Sequence, residues 1–332
     1  MPRRRRRIIS NTCYEICFRA RATLPFVAYL IIKLIIGAAI ARTQRDNKVI
    51  LCHDIWNGSH PHIIIVAKDS QQCVNFYSEI QKKITDALKR LVGLNHLQIW
   101  EGFPMVAEIA DLDAAKERIS YLYANPAQDN LVDSIEKFPG YSSWEDFNKC
   151  FNFLKAESKK VFPWIRLPSI PKLISPCLSS TQDSNFVRLV TRRNKEKHLL
   201  VRKPNQWMSC FGIETDADVE NINKDIVRRI REREELSRLK RKVENKPLMG
   251  ISKLCSQPIL KFHVSKKKER KIFLLSSIRK LRVQLIKEFQ EFCILCRECY
   301  LDWMSGKINV EWPPGAFRPP LPPLVNLLPI RT

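Results

Sequence analysis

Lys48 to Ala67 reads KVILCHDIWNGSHPHIIIVA. Its first half, Lys48 to Trp56, predicts a strand. Asn57-Gly58 is a strong hairpin signal, because a two-residue turn needs positive φ at its centre. His62 to Ala67 (HIIIVA) is the return strand, opened by His60-Pro61-His62. Side chains two apart on a strand point to one face. The imidazoles of His60 and His62 therefore stand side by side and can chelate one divalent ion. Pro61 points the other way and removes one backbone donor, which suits a strand end or an edge.

Working outward, Tyr14, Ile16 and Phe18 alternate with polar or small residues and predict a strand. A helix follows from about Phe26 to Arg45. Another runs from about Ser70 to Val92, with Val74, Tyr77, Ile80, Ile84, Leu88 and Leu91 on one face and Gly93 as its terminator. Gln98 to Ile109 contains a strand. A last helix runs from Asp113, a candidate N-cap, to about Ala124. The order β-α-β-β-α-β-α is the ferredoxin-like pattern. The expected fold class is α+β, with residues 1–150 as a ferredoxin-like domain.

Residues 151–182 read as a linker, rich in Pro and Ser from 164 onward. Residues 183–332 read as a basic, mainly helical accessory domain. Within it Phe186 to Trp207 predicts a short basic hairpin around Arg192 and Arg193. Ile222 to Val243 predicts a charged helix with apolar residues at helical spacing. A long helix is expected from about Ser277 to Met304. The tail WPPGAFRPPLPP (312–323) must be extended.

The chain has 332 residues, with 57 Lys+Arg against 34 Asp+Glu, a net charge of +23. A hydrophobic content of 45% supports a buried core and excludes overall disorder. Nine Gly against 20 Pro exclude a collagen-like repeat. The charge points to polyanions, nucleic acid before an anionic membrane surface. Pro25 to Ala41 (PFVAYLIIKLIIGAAIA) is the one membrane candidate, but Lys33 at its centre costs about 2.5–3.5 kcal/mol on insertion. A buried helix and no membrane partner are the expectation. Eleven scattered Cys with no secreted-scaffold spacing indicate reduced thiols and a cytoplasmic location. Cys293, Cys296 and Cys299 share a helix face and read as core, with a metal site as the alternative.

The second chemical element is Tyr121 with Asn125, in YLYANP (121–126). Residues four apart share a helical face. Pro126 biases Asn125 away from helical geometry and places it at the helix end. Read from the residues alone, Tyr121 and Tyr123 also fit packing aromatics, and His60, His62 and His53 also fit a zinc site.

Together, SHPHIIIV (59–66), WEG (100–102), YLYANP (121–126), NLV (130–132) and YSSW (141–144) resemble the REP-associated tyrosine transposases, in the single-tyrosine branch of the HUH endonucleases. The resemblance covers about residues 11–149. It implies that His60, His62 and Asn125 bind a divalent metal, Mg²⁺ or Mn²⁺, and that Tyr121 is the nucleophile. It implies nicking and rejoining of single-stranded or hairpin DNA through a 5′-phosphotyrosine, a nucleoid-associated protein, and room for a homodimer. The family pattern has His where Tyr123 stands and Arg-Tyr where Phe103-Pro104 stands. These departures leave open a decayed, non-enzymatic nucleic-acid-binding protein. Candidate DNA contacts are Arg3, Arg4, Arg5, Arg192, Arg193, Lys266, Lys267 and Lys268, with Trp56 and Trp100 for base stacking.

Overall fold

The protein was examined as a computed structural model that describes residues 6–21, 23–263, 272–307 and 309–319. The first unit runs β1 (Thr12–Cys17), α1 (Leu30–Asn47), β2 (Ile50–Asn57), β3 (His60–Ala67), α2 (Ser70–Val92), β4 (Met105–Ile109) and α3 (Leu112–Gln128). Then come β5 (Tyr141–Ser142), α4 (Trp144–Lys149), β6 (Ser158–Pro163), α5 (Ser180–Arg193), β7 (Lys197–Arg202) and α6 (Asp216–Val243). The chain continues through α7 (Ile251–Cys255), β8 (Leu274–Leu275) and α8 (Arg279–Met304).

The sheet order is β6-β7-β2-β3-β1-β4-β8, and β5 also pairs with β2. The inner strands β2, β3, β1 and β4 pair with one another antiparallel in that order. β7 joins β2 in parallel, and β8 joins β4 in parallel. The strands after residue 150 thus extend the sheet laid down before it. The fold is a mixed α/β structure, in keeping with the expected α+β class.

Helices cover both faces, which is why β3 reads as unbroken Ile and Val rather than an alternation. Ile63, Ile65 and Ala67 face a core shared with α1 and α2, where Ile31, Ile35, Tyr77, Ile80 and Ile84 are buried. Ile64 and Val66 face a second core shared with α3 and α6, built on Ala115, Ile119, Leu122, Ile226 and Ile230. By the same alternation His60 and His62 lie on the α3 side. A register shift between Leu51 and His53 breaks the alternation in β2, so Cys52 and His53 both serve the second core.

Local signals place several elements at their expected bounds. α2 starts at the Asp69 cap, whose carboxylate accepts from Gln72 N at 2.8 Å, and ends at Gly93 with φ +70°. α3 differs. Asp111 rather than Asp113 is its N-cap, accepting from Ala114 N at 2.8 Å. The helix also continues through Pro126 to Gln128. Pro126 removes only the donor to the Leu122 carbonyl. Asn125 is therefore inside the helix, not at its end.

The apolar segment at 25–41 forms much of α1, packed under α2 and against β7 and α5. Lys33 extends to donate to the Pro139 carbonyl at 3.1 Å. Among the described residues no helix is long and apolar enough to cross a membrane.

The basic hairpin expected at Phe186 to Trp207 is absent. Its first part is α5, started by a capping box between Ser179 and Gln182. Asp183 of α5 accepts from Leu30 N at 2.6 Å and Ile31 N at 2.9 Å, capping α1 from a distance in sequence. Arg192 and Arg193 end α5, where cations offset the helix dipole. The tail runs beside the N-terminal segment: Ile8 N donates to Gly315 O at 3.0 Å, and Ser70 Oγ to Ala316 O at 2.6 Å. Residues 320–323 of the expected extended tail lie outside the described residues.

Gly37 shows why a helix former is excluded from one site on α1. A Cβ there would stand 2.1 Å from Phe162 Cε1, because β6 lays that ring on the helix. Gly37→Ala gains about 1 kcal/mol of helix propensity. The forced displacement of Phe162 costs about 1–3 kcal/mol, so the variant unfolds at lower urea. Gly37→Ala with Phe162→Leu recovers most of the midpoint.

Candidate metal and nucleophile site

β3 enters the sheet at His60, paired across the hairpin with Asn57, while His62 sits between Ile55 of β2 and Cys17 of β1. The two imidazoles face one another at nearly a right angle, ring centroids 5.6 Å apart. The Asn125 side chain, delivered by α3, hydrogen-bonds His60. Tyr121, one turn earlier on α3, has its ring 6.0 Å from the His62 ring. The structure therefore brings His60, His62, Asn125 and Tyr121 to one place.

A carboxylate absent from the sequence expectations organises this place. Glu15 on β1 is fully buried, on the same face as Cys13 and Cys17. Its Oε1 lies 2.8 Å from His62 Nδ1, and its Oε2 accepts from Arg118 Nε at 2.6 Å. Burial opposes the charge on Glu15, but Arg118 and His62 outweigh it and hold the carboxyl down at about 2. Burial likewise disfavours a charged His62. Cys17 and Glu15 reverse that and push the ring up to about 10. His60 is displaced toward the neutral form, first by burial and then by the charges of His62, Arg19 and His263.

These partners settle which nitrogen of His62 faces the site. With Nδ1 turned to Glu15, Nε2 is buried with no hydrogen-bond partner in the structure, and a ring pushed this far toward its cation must give up the Nε2 proton before it can ligate an ion. The unsatisfied atom of the Asn125 amide is its nitrogen Nδ2, a donor, while both amide atoms of Asn57 are buried and unsatisfied beside His60. Of these, His62 Nε2 and Asn57 Oδ1 are acceptor atoms of the kind that a bound cation satisfies. Two imidazoles and one amide oxygen suit Mn²⁺ or Mg²⁺ completed by water. Among the described residues no group of three or more His, Cys, Asp or Glu is placed to hold a metal. The donor set here depends on an amide.

A carboxylate behind a ligand imidazole fixes its tautomer and raises its basicity. Glu15→Gln keeps the shape and removes that charge. On the proposal that this site holds Mn²⁺, the variant's affinity, read by EPR titration of the free ion, falls by about 10–100-fold.

The zinc reading with His53 does not hold. His53 is fully buried, its Nδ1 2.8 Å from Tyr123 Oη, and its ring meets Phe147 in the second core. The cysteine trio of α8 likewise forms no metal-binding group among the described residues. Burial pushes His53 down to about 3 from 6.5. Below pH 6.5 the unfolded chain takes up a proton that the folded chain refuses, until about pH 3. Stability therefore falls with pH in this window by up to about 1.4 kcal/mol per unit from this residue. Urea titrations at several pH values show a shallower acid loss in His53→Asn than in the wild type.

The proposed stacking tryptophans sit elsewhere. Trp56 is fully buried between Phe18 and Phe26, with Nε1 on Asp54 Oδ2 at 3.2 Å, and offers no face to a base. Trp100 packs on α2, with Nε1 donating to Thr85 Oγ1 at 2.9 Å. Both belong to the α1/α2 side of the sheet, opposite His60 and His62. Arg192 and Arg193 are exposed on α5, in that same opposite layer. Arg3, Arg4, Arg5, Lys266, Lys267 and Lys268 lie outside the described residues.

Sequence reasoning passed over Glu15, Asn57, Arg118 and Arg233. Arg118 had a signal, since it precedes Tyr121 by three residues on one helix. Its Cζ lies 4.3 Å from the Tyr121 ring centroid. Arg233 of α6, 6.0 Å from that ring, had none.

No family model matches this chain, and no curated protein matches it. Among solved structures, a REP-associated tyrosine transposase bound to a REP hairpin is similar to it at 19% sequence identity. That match covers 45% of this chain and 86% of that one, with a TM-score of 0.39. A likeness at this level assigns neither fold nor activity to the chain.

Proposed function

We propose that the chain is a DNA strand transferase that nicks and rejoins single-stranded or hairpin DNA through Tyr121. The observation that carries this reading is the convergence of His60, His62 and Asn125 beside Tyr121, with Glu15 aiming the free nitrogen of His62 into the site. The antiparallel order β2-β3-β1-β4, with α1 and α2 on one face, supports a ferredoxin-like core. The net charge of +23 supports a polyanionic substrate.

His60, His62 and Asn125 would hold a divalent ion, which when bound would neutralise charge developing on the scissile phosphate. Tyr121 supplies the attacking oxygen. Its Oη bonds to phosphorus as the P–O3′ bond breaks, leaving a 5′-phosphotyrosine and a free 3′-OH. One phosphodiester replaces another, so a second strand can be joined without ATP. The family's His at the position of Tyr123 is not needed for this. Tyr123 is absorbed in the second core, bonded to His53 and to Ser143 Oγ at 2.9 Å.

The test uses full-length protein, a 3′-labelled DNA hairpin with single-stranded flanks, and Mn²⁺. The expected product is a denaturation-resistant protein–DNA adduct that disappears with EDTA and in His62→Ala. Salt-sensitive binding that ignores EDTA, with no adduct, replaces this reading with that of a non-catalytic DNA-binding protein.

A further inference from the structure

We infer that Arg118 and Arg233, one from each half of the chain, receive the transferred phosphate at Tyr121, which makes α6 part of the reaction centre. This rests on the strand-transfer reading of the same site. Arg118 Cζ lies 4.3 Å from the Tyr121 ring centroid and Arg233 Cζ lies 6.0 Å from it. Glu15 anchors Arg118 through Nε, while Nη2 stands 3.5 Å from His62 Nδ1. The fork of Arg118 thus borders both the ligand imidazole and the phenol.

Arg233 reaches the phenol because α6 is locked onto α3. Lys116 Nζ meets Asp225 Oδ2 at 2.8 Å, Arg229 Nη2 meets Asp113 Oδ1 at 2.6 Å, and Ser120 Oγ donates to the Ile226 carbonyl at 3.2 Å. Ile226 and Ile230 are fully buried beneath these pairs. Arg233 itself pairs with Glu117, whose side chain is half exposed. An exposed pair is worth little and exchanges readily for a phosphate partner.

The chemistry calls for cations here. When the Tyr121 Oη–P bond forms and the P–O3′ bond breaks, the phenolic proton passes to water and the departing 3′-oxygen takes one from water. The phosphodiester keeps one negative charge, and the non-bridging oxygens carry it through the transition state. A guanidinium binds two such oxygens at once through its fixed fork, which an ammonium cannot do. Metal-ligand side chains and a pair of guanidinium groups then share the charge around one phenol.

The experiment compares full-length wild type with Arg233→Ala, Arg233→Lys and Arg118→Lys. Adduct formation is followed in single turnover at saturating DNA and Mn²⁺, alongside melting temperature and Mn²⁺ affinity. Arg233→Ala is expected to slow the adduct about a hundredfold at unchanged Mn²⁺ affinity, and Arg233→Lys to recover only part of it. A loss under tenfold overturns the inference. A readout independent of strand transfer is ¹⁵N NMR of arginine Nε–H groups during titration with inorganic phosphate, assigned with the Lys variants. Signals of Arg118 and Arg233 must shift, and if neither moves the inference is wrong. Shifts without any wild-type adduct sink the strand-transfer reading alone. An adduct that is indifferent to Arg233 sinks this inference alone.

Discussion

With Tyr121 as the proposed nucleophile, Tyr121→Phe abolishes covalent capture of DNA, lowering the rate of adduct formation by more than about four orders of magnitude. The substitution removes one oxygen and keeps the ring. The contacts of that ring with the His62 imidazole and the Arg118 guanidinium remain. Nothing in the proposed ligand set of His60, His62 and Asn125 changes, so Mn²⁺ affinity and hairpin binding are expected to stay at wild-type levels. Loss of the adduct with retention of both is the signature of a missing nucleophile. The next tyrosine along α3, Tyr123, is fully buried, and burial pushes its pKa well above the ordinary tyrosine value. It cannot substitute. An adduct formed by Tyr121→Phe at the wild-type rate places the nucleophile elsewhere and removes the assignment.

The second large effect is on stability. Arg202 at the end of β7 is buried with three partners. Its Nε donates to Asp54 Oδ1 at 2.7 Å, its Nη1 to Asp146 Oδ2 at 2.7 Å, and its Nη2 to Tyr141 Oη at 2.8 Å. Asp54 is on β2, Asp146 on α4 and Tyr141 on β5, so one guanidinium ties four elements together. Arg202→Met fills the volume but leaves the buried Asp54 carboxylate without its cation, and Asp146 with only Lys160 Nζ at 3.0 Å. Removing one partner of a buried ion cluster costs about 3–5 kcal/mol, a large part of a typical folding free energy. Urea unfolding shows this as a lowered midpoint at neutral pH. Arg202 also holds the Asp146 carboxyl below its usual range against the effect of burial. That stabilisation is present above the unfolded value of 3.8 and is lost as pH falls further. Adding Asp54→Asn to Arg202→Met restores part of the midpoint, because the stranded charge is then gone.

Elements with strong short-range signals came out where the residues placed them. α2 is one, because Asp69 and Gly93 mark its two ends. The β2–β3 hairpin is another, because Asn57-Gly58 and the Ile-rich return strand allow little else. α6 begins six residues earlier than its apolar spacing indicated, since Thr215 caps Asp218 N at 3.2 Å. The mistaken hairpin at Phe186 to Trp207 has the opposite cause. Its basic residues looked like a turn, whereas the capping box of Ser179 and Gln182 lies upstream of the segment that was read as a unit.

What the sequence determined by itself is the pair of imidazoles on one strand face, the phenol and amide on one helix face, and the helices with clear caps. All of these depend on periods of two to four residues. The tertiary structure alone decided that β6 and β7 extend the first sheet, that Trp56 is walled in by Phe18 and Phe26, and that Glu15, Arg118 and Arg233 surround His62 and Tyr121. Apart from Arg118 with Tyr121 on one helix, those pairings join residues 30 to about 150 positions apart, such as Phe26 with Trp56, Glu15 with His62 and Asp54 with Arg202. No local propensity encodes them. They follow from which faces are buried together once the sheet is assembled, and from the need of each buried charge to find a partner there.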